Sequence, residues 1–431
     1  MLDIRVYGRG FSDLEAAAQS YPALSFDSAE PGFSCHTVLF ISNRSINVGQ
    51  VMKILVDSIP MSGLLTGIAR YLRNLYTTMN SMDPVDVAYF NGRTTTDAMP
   101  PSADSLSWQN TNRSVRTLPD ALVFGLRAAR WFKYEYYLNK ICRKDPSAFS
   151  VYHETAFTPA KLTAIPTVYS VYDLSLRRYR DTHPKERVWL FEYFIKIRLR
   201  YAKHILTISE FIRQEIMDEF KVPPSMVTAV PLAPDPLFFP CSDEGVKAVR
   251  RYYNLPESYL LFVSSLEPRK NIDLLIDALA LAHTDIPMVF VGWQGWGKKR
   301  WLEKIKGKNF KNRIYLTGHI PDHDLRAVYT GATALVYPSL YEGFGLPIVE
   351  AMACNCPVIC SDTASMPEVA GDAAVLIDPA RSDDLAHAIE ILVHDTETRN
   401  DLVKKGRLRA AAFTWEKTAG QTLDVFKRVA E

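Results

Sequence analysis

The chain has 431 residues, of which 47% are apolar and 23% are charged, a composition typical of a globular protein long enough for two domains. It carries 50 basic and 48 acidic residues, so no overall charge attracts nucleic acid. No apolar run approaches the roughly 20 residues that span a bilayer, and the first residues lack the apolar core of a signal peptide. The sequence therefore predicts a cytoplasmic protein.

Residues 1–51 show little hydrophobic periodicity apart from the apolar run at 37–42, and we interpret them as a poorly structured N-terminal extension. From residue 52, short runs of β-branched and aromatic residues alternate with longer helical patterns, which indicates crossover units and a mostly parallel sheet. The predicted strands of this first half are the runs at 52–58, 85–90, 150–154, 166–173, 205–209 and 227–230.

A stretch with four prolines in ten residues, at 231–240, is typical of a linker because proline lacks a donor and fixes φ. The second half repeats the first pattern, so we predict an α/β fold of two Rossmann-like domains, residues 52–238 and 239–415, with a cleft between them. Ligands of such sheets bind beyond the carboxyl ends of the strands. The predicted strands of the second half are the runs at 259–265, 287–293, 313–318, 333–338, 356–361 and 373–377.

The most informative loop is YEGFGLPIVE, residues 341–350, which follows a predicted strand. Pro347 suits the first turn of a helix. The residues that then connect strand and helix, here called the glycine turn, are Gly343, Phe344 and Gly345. Bare amides at the positive end of a helix favour an anion, while Glu342 lies beside the turn and Glu350 is placed to reach a hydroxyl group. The alternative is a structural turn in which Glu350 only complements the helix dipole.

A second anion site is predicted at SSLEPRKN, residues 264–271, where two cations follow a predicted strand. Arg269 and Lys270 directly precede Asn271, which we expect to be the N-cap of the next helix. Two cations at the mouth of a helix would neutralise a diphosphate. Solvated surface charge is the alternative for such a pair, and the glycine turn in the same half favours the anion site.

Two further loops carry weaker signals. In SGLLTGIARY, residues 62–71, Gly63 and Gly67 would let the backbone approach a ligand where a helix begins, but such glycines are commonplace. GWQGWGKK, residues 292–299, approaches the P-loop pattern, but Lys299 stands where a magnesium-binding Ser or Thr is required. This difference argues against a P-loop NTPase.

No metal site is predicted. DHD, residues 322–324, resembles a metal-binding motif, but it stands where a helix begins, and we expect Asp322 to cap that helix. The six cysteines form neither CxxC pairs nor an evident disulfide framework, which favours a reducing compartment. The cluster CNCPVIC, at 354–360, lacks the histidine or further cysteine pair of a zinc site.

Two stretches, at 126–144 and 185–204, combine aromatic and basic residues. They could lie on an anionic membrane, in peripheral contact with the inner face of the cell membrane. They could equally be packing helices whose Lys and Arg side chains reach solvent. The sequence leaves both interpretations open.

Several segments together resemble glycosyltransferase family 4, the retaining enzymes with the two-domain GT-B fold. They are TGIARY, SSLEPRKN, EGFGLPIVEAM, a PVI strand, SMPEVAGDAA and the terminal FTWEKTA. The resemblance covers nearly all of residues 52–431, and EGFGLPIVEAM with the upstream RKN is a specific signature. Within the family, MKILVDS, TGIARY and YSVYDLSLRRYRDTHP are similar to bacterial mannosyltransferases that build surface polysaccharides.

The resemblance implies a hexosyltransferase that uses a sugar nucleotide and a glycan or lipid-linked saccharide acceptor. GDP-mannose is the expected donor, with a UDP-hexose as the alternative. A C-terminal helix at about 416–431 would pack back on the first domain, as in relatives. No cofactor or metal is expected, because cations and helix amides would stabilise the charge that grows on the leaving diphosphate.

The resemblance also implies roles for individual residues. Arg269 and Lys270 would contact the donor diphosphate, Glu342 would hold hydroxyl groups of the donor sugar, and Glu350 would bind the ribose. The other donor contacts would come from Gly67 at the phosphates, Gly318 near the base, and Phe344, Gly345 and Leu346 at the start of the helix. Catalysis would fall to Glu342, Arg269 and Lys270, together with Asp173.

One position departs from the family pattern. Many relatives carry His-Asp where this chain has Tyr172 and Asp173, so the histidine's role in the acceptor cleft is not carried over to Tyr172. Asp173 keeps the matching place at the carboxyl end of a strand. His153 is another candidate for the cleft, and both Asp173 and His153 could instead be structural groups.

Three other functions stay open from the sequence. A glycoside hydrolase could use Glu342 and Glu350 as acid and nucleophile, but it has no use for paired cations at helix mouths. A non-catalytic module would bind a nucleotide sugar without transferring it. A P-loop NTPase would release phosphate in a magnesium-dependent reaction that requires Lys298.

Overall fold

The computed structural model describes residues 51–62, 67–101, 119–293, 299–307, 310 and 313–431. The predicted N-terminal extension, apart from Val51, lies outside these described residues. So do Gly63 and Lys298.

The first half is built on a sheet with the strand order β3-β2-β1-β4-β5-β6-β7. All neighbours pair in parallel except β2 and β3. The central strands are buried on both faces, which is why exposed polar residues do not alternate with apolar ones along them. The strands are β1 (Met52–Asp57), β2 (Val85–Phe90), β3 (Thr95–Thr96), β4 (Val151–Glu154), β5 (Thr167–Val171), β6 (His204–Thr207) and β7 (Val227–Ala229).

Helices join the parallel strands as crossovers, because parallel neighbours cannot be joined by a tight turn. The first helix follows β1, the second precedes β4, the next two precede β6, and the last precedes β7. They are α1 (Gly67–Met82), α2 (Asp120–Lys144), α3 (Ser175–Arg178), α4 (Lys185–Arg198) and α5 (Glu210–Phe220).

The second half has its own sheet, with the order β10-β9-β8-β11-β12-β13 and parallel pairing throughout. Its strands are β8 (Leu260–Val263), β9 (Met288–Val291), β10 (Ile314–Gly318), β11 (Ala334–Tyr337), β12 (Val358–Ser361) and β13 (Val375–Ile377). Its helices are α6 (Asp243–Tyr252), α7 (Ile272–Leu281), α8 (Lys299–Gly307), α9 (Asp322–Thr330), α10 (Leu346–Ala353), α11 (Met366–Ala370), α12 (Ser382–His394) and α13 (Thr396–Ala411).

The predicted α/β fold with two Rossmann-like sheets is confirmed, and each strand predicted from residue 52 onwards is present. The two-residue strand β3 was not predicted. It is an exposed antiparallel strand at the edge of the first sheet, too short to leave a pattern in the sequence.

Helix α14 (Trp415–Ala430) carries the chain back to the first sheet, where it packs against α1 and contacts β4 and β6. Its start is held on the proline-rich linker, because Trp415 Nε1 donates to the carbonyl of Pro234 (2.9 Å). One turn later, Thr418 Oγ1 donates to the carbonyl of Pro231 (2.7 Å). The helix therefore fixes the linker against the first half.

Of the two predicted helix caps, Asn271 is the N-cap residue of α7 but makes no capping hydrogen bond, and the prediction for Asp322 is wrong. Asn271 precedes α7 with a left-handed φ of 57°, and its Nδ2 donates to the carbonyl of Pro379 (2.8 Å) instead of capping the helix. The N-cap of α9 is Pro321, and Asp322 is the first helical residue. Its carboxylate accepts a hydrogen bond from Arg70. In both places a tertiary contact has taken the side chain that local propensity assigns to the cap.

Within the part of the chain that the structure describes, no group of three or more His, Cys, Asp or Glu residues could hold a metal ion. The described cysteines are free thiols, and Cys360 is buried in β12. None of the described helices combines the length and the apolar character that crossing a membrane requires.

Candidate active site

The glycine turn connects β11 to α10, with Pro347 in the first turn of the helix, as the sequence predicts. Gly345 has a φ of 99°, a left-handed conformation that favours glycine. Gly343 lies directly against the first half, since a Cβ atom there would stand 1.9 Å from the carbonyl oxygen of Tyr172. The turn therefore has no room for a side chain at the position where the two halves meet.

The side chains of two serines form hydrogen bonds with carbonyl groups in and beside this turn. Ser365 Oγ lies within hydrogen-bond distance of the carbonyls of Glu342 (2.9 Å) and Phe344 (3.1 Å). Ser209, from the first half, donates to the carbonyl of Gly343 (2.7 Å). Among the described residues, no acceptor contacts the backbone N–H groups of Gly343, Phe344, Gly345 and Leu346. These amides at the positive end of α10 are available to an anion.

Arg269 and Lys270 lie in a 3₁₀ turn between β8 and α7, and both contact Glu342. Lys270 Nζ is 2.5 Å from Glu342 Oε1, and Arg269 Nη1 is 3.3 Å from Glu342 Oε2. Arg269 also donates to the carbonyl of Tyr341 (2.5 Å) and pairs with Glu267 (2.8 Å). The cationic pair is thus one network with two carboxylates rather than solvated surface charge.

Glu342 is ionised in this network. Burial by itself would raise the pKa of its carboxyl group, since only 7% of the residue is exposed. The charges of Lys270 and Arg269 outweigh burial and lower that pKa to about 2. Tyr337 completes the environment, because Lys270 Nζ also donates to its hydroxyl group (3.2 Å).

The opposite wall of the site is the start of α1. Gly67 is the first residue of this helix, and a Cβ atom added there would lie 3.8 Å from Leu346 Cδ1. Leu346 is itself the first residue of α10. The N-termini of two helices, one from each half, therefore lie close together, and the positive end of each helix favours an anion.

Glu350 lies one turn into α10 and is buried. Arg70 of α1 donates to its Oε1 atom (3.2 Å), and the hydroxyl group of Tyr329 donates to its Oε2 atom (3.0 Å). Burial raises the pKa of Glu350, and the charge of Arg70 opposes that rise. The carboxylate is thus held by partners from both halves, which is more than complementing a helix dipole requires.

Asp173 follows β5, and its Oδ1 atom accepts a hydrogen bond from the backbone of Ser175 (2.8 Å). Burial lowers the pKa of Arg269, and the charges of Glu342 and then Asp173 raise it above its ordinary value. Asp173 therefore lies within electrostatic reach of Arg269. A Cβ atom added at Gly343 would come within 3.2 Å of its own Cβ atom.

Tyr172 is buried, with its ring edge-on to Tyr71 (centroids 5.8 Å apart) and Phe157 (6.3 Å). Its hydroxyl group has no hydrogen-bond partner among the described residues. The residue that replaces the family histidine is therefore packed among aromatic rings next to the glycine turn, and its main-chain carbonyl faces Gly343.

The suggestion that His153 belongs to the cleft is wrong. It is fully buried in β4, where Nδ1 bonds to the hydroxyl group of Tyr76 (2.6 Å) and Nε2 to Ser170 Oγ (2.8 Å). Burial lowers its pKa to about 3, so the ring is neutral. His153 is a core residue with both nitrogens satisfied.

Gly318 ends β10 in a left-handed conformation (φ 75°) and is exposed. Its carbonyl accepts a hydrogen bond from the backbone of Gly292 (2.8 Å). Beside it, the rings of Trp293 and His319 stack with centroids 4.9 Å apart. A stacked aromatic pair therefore lies at the carboxyl edge of β9 and β10.

Sequence reasoning missed Arg70, Ser209 and Ser365. Arg70 stands in the TGIARY motif, one turn after Gly67, and this spacing could have placed it on the same helix face. Ser365 opens the SMPEVAGDAA segment, but no spacing in the sequence relates it or Ser209 to the glycine turn, which both serines reach from other loops. Only the folded chain brings them together.

Comparisons with known proteins indicate which family the chain belongs to. Residues 250–409 match the family model described as glycosyl transferases group 1, and residues 65–236 match glycosyltransferase family 4. O-antigen chain mannosyltransferase B of Escherichia coli is 31% identical over 392 residues, covering 87% of this chain and 100% of that protein. The serotype-specific mannosyltransferase WbdA of Escherichia coli is 30% identical over 237 residues, 53% of this chain and 29% of that protein.

Among solved structures, the Anabaena protein HepE in complex with UDP and glucose superimposes with a TM-score of 0.65 at 18% identity. The match covers 88% of this chain and 100% of that one. At this identity the comparison shows the fold alone, which is GT-B.

The chain therefore belongs to glycosyltransferase family 4, and it is a glycosyltransferase. The resemblance read from the motifs is confirmed.

Proposed function

We propose that this glycosyltransferase moves mannose from GDP-mannose to a glycan or lipid-linked saccharide in surface polysaccharide synthesis, with retention of configuration. The observation that carries the proposal is the convergence of the Arg269–Lys270 pair with the free amides at the start of α10. The choice of mannose is supported by the Escherichia coli relative, an O-antigen chain mannosyltransferase that is 31% identical.

The donor diphosphate lies between the two helix starts in this proposal. Arg269 and Lys270 contact it from one side, exchanging part of their contact with Glu342 for the phosphate oxygens. The diphosphate also accepts hydrogen bonds from the backbone N–H groups of Phe344, Gly345 and Leu346 at the start of α10. Gly67 lets the backbone of α1 approach from the other half.

In this proposal two carboxylates bind hydroxyl groups of the donor. An ionised carboxylate only accepts hydrogen bonds, and hydroxyl groups can donate them. Glu342, kept ionised by its two cations, accepts from hydroxyl groups of the sugar. Glu350 accepts from the ribose, and Gly318 lies near the base, beside the stacked rings of Trp293 and His319.

Transfer breaks the bond between C1 of the sugar and the diphosphate oxygen, leaving an oxocarbenium-like sugar and growing negative charge on the diphosphate. Arg269, Lys270 and the helix amides are already aimed at that charge, so little reorganisation is needed. The acceptor hydroxyl group attacks C1 from the same face as the one from which the diphosphate leaves. The proton of that hydroxyl group passes to the leaving phosphate. Asp173, in electrostatic reach of Arg269, orients the acceptor.

A donor screen tests this proposal. Purified protein is given GDP-mannose, UDP-glucose and UDP-galactose, with and without a lipid-linked oligosaccharide acceptor, and the released nucleoside diphosphate is separated by chromatography. We expect GDP release that depends on the acceptor. Release of UDP alone would overturn the donor, and sugar release without any sugar nucleotide would point to a hydrolase.

A UDP-hexose is the second candidate donor. The Anabaena protein with the same fold was solved with UDP and glucose, so the GT-B fold accepts that base. A non-catalytic module is distinguished by the same screen, because it would bind a nucleotide sugar without transferring the sugar to any acceptor.

We also propose a peripheral contact with an anionic membrane through α2 and α4, which pack against each other. Exposed large apolar side chains on these helices are Leu122, Leu126, Phe132, Tyr136, Trp189, Tyr193 and Ile197. Exposed basic residues beside them are Arg130, Lys133, Lys140, Arg143 and Lys196. Apolar insertion combined with charge attraction is the pattern of interfacial helices.

Vesicle sedimentation tests this contact. Trp189→Ser should weaken binding to phosphatidylglycerol vesicles, and added salt should weaken it further. The matched control is Tyr252→Ser, which removes an exposed aromatic ring from α6 in the second half. Equal binding to neutral and anionic vesicles, or equal loss in both variants, would contradict the proposal.

A further inference from the structure

Arg70 connects the two halves of the protein at Glu350, the carboxylate that is proposed to bind the ribose. It lies three residues after Gly67, so both residues share the face of α1 that meets the second half. Its guanidinium contacts Glu350 of α10 (3.2 Å) and also Asp322 of α9. Side-chain exposures of 17%, 4% and 12% for Arg70, Glu350 and Asp322 show that this cluster is shielded from solvent.

The contacts leave Glu350 able to accept further hydrogen bonds. A carboxylate has about four acceptor sites, two on each oxygen. Arg70 uses one site on Oε1, and Tyr329 uses one on Oε2. One acceptor site remains on each oxygen, which is the number that the two hydroxyl groups of a ribose need.

The geometry points to Arg70 as a positioning residue: its guanidinium, together with Tyr329, holds Glu350 in the orientation that accepts both ribose hydroxyl groups of the donor. The inference rests on the proposed function, in which Glu350 binds the ribose.

Arg70 belongs to the first half and Glu350 to the second, so ribose recognition is complete only where α1 and α10 are in contact. Binding energy from the ribose therefore favours that contact, in proportion to the difference in affinity between the two arrangements. Asp322 fixes the other side of the guanidinium and keeps it directed at the donor site.

The test is the preference for ribose over 2′-deoxyribose. Dissociation constants are measured by isothermal titration for GDP and UDP and for the 2′-deoxy counterpart of each. A lost hydrogen bond to a charged acceptor should make the wild type prefer the ribonucleotide by about tenfold. In Arg70→Ala the preference should fall to about twofold or less, because Glu350 loses its orientation.

Three further variants complete the test. Arg70→Lys, which keeps the charge but loses the fork geometry, should show an intermediate preference, and it covers the case in which Arg70→Ala does not fold. Glu350→Gln should lose the preference, and adding Arg70→Ala to it should cause little further change. The matched control is Asn74→Ala on the same helix, since Asn74 Nδ2 contacts Asp235 (2.9 Å) in the linker and touches no donor carboxylate.

The outcomes separate this inference from the proposed function. A wild-type protein that binds neither GDP nor UDP overturns both. A wild type that binds, with the same ribose preference in Arg70→Ala or Arg70→Lys, overturns the role of Arg70 alone. Equal weakening of the ribo and deoxy forms also overturns it, because Arg70 would then act on the phosphates or on folding.

Discussion

At the scale of single residues, Arg269 is the group whose contacts best fit a charge that develops during a reaction. Its guanidinium touches Glu342, Glu267 and the carbonyl of Tyr341, and it is nearly buried. A planar cation held in this way can stabilise a leaving phosphate with little reorganisation.

Arg269→Ala should therefore lower kcat by about 100-fold, the usual effect of removing one such donor. Steady-state kinetics with the donor found in the screen measures it. The control is Arg407→Ala, which removes a surface arginine whose Nε donates to Asn355 (2.5 Å). Equal activity in the two variants would remove Arg269 from the mechanism.

Glu342 also makes the free energy of unfolding depend on pH in the acid range. The pKa of its carboxyl falls from an ordinary 4.5 to about 2 in the fold, so its ion pairs stabilise fully above pH 4.5 and are lost as pH falls towards 2. The stability difference between the wild type and Glu342→Gln should narrow by about 1 kcal/mol between pH 6 and pH 4. Urea unfolding at each pH measures it. A difference that stays constant or grows on acidification contradicts the ionised pair.

Motifs in the sequence single out Arg269, Lys270 and Glu350, and the roles of these residues stay predictions. The sequence did not predict what they touch. Arg70 was passed over because its two carboxylates are more than 250 positions away along the chain. The place of His153 at the end of an apolar run suggested a cleft residue. In the sheet, however, the register of β4 against β5 directs its side chain into the core, where it contacts Ser170.

At the scale of elements, the glycine turn is the point where local geometry and contact between the halves coincide. Gly343 has no space for a Cβ atom because the main chain after β5 lies against it. By contrast, Gly125, in the second turn of α2, has no atom within 4 Å of an added Cβ.

Gly343→Ala should therefore destabilise the protein and lower activity, because a backbone carbonyl, rather than a flexible side chain, would have to shift. Gly125→Ala should raise the free energy of unfolding by about 1 kcal/mol, since alanine favours a helix and glycine does not. Thermal unfolding of the two variants measures both effects. A fully active and stable Gly343→Ala would show that the turn does not need this close contact.

Element type was predictable because buried parallel strands are often continuous apolar runs between helical patterns, and β8 and β9 show this clearly. Helix caps were less predictable. Asn271 and Asp322 have the right residue types for capping, but Pro379 and Arg70 compete for their side chains. The edge strand β3 has two residues, and no period can be read from two residues.

At the scale of the whole molecule, the last helix ties the chain end to the first sheet. Phe426 of α14 is fully buried, and its ring lies 5.2 Å from that of His153. The first half therefore depends on a segment that follows the second half in the chain.

Phe426→Ala should lower the free energy of unfolding by roughly 3 kcal/mol, the usual cost of removing a buried aromatic ring. Leu408→Ala is the matched control, because Leu408 is 77% exposed on α13 and its loss should cost less than about 0.5 kcal/mol. Denaturant unfolding compares the two. Similar values for both variants would mean that α14 is not part of the core.

Binding of a nucleoside diphosphate is the most direct test of the account. Every proposed role depends on a diphosphate site formed by Arg269, Lys270 and the backbone amides at the start of α10. Isothermal titration with GDP and UDP, in the presence of EDTA, compares the wild type with the double variant Arg269→Ala, Lys270→Ala. We predict that the wild type binds at least one of the two without a divalent metal, and that the double variant loses at least about tenfold in affinity. A wild type that binds neither, or a double variant that binds as tightly as the wild type, would contradict the account.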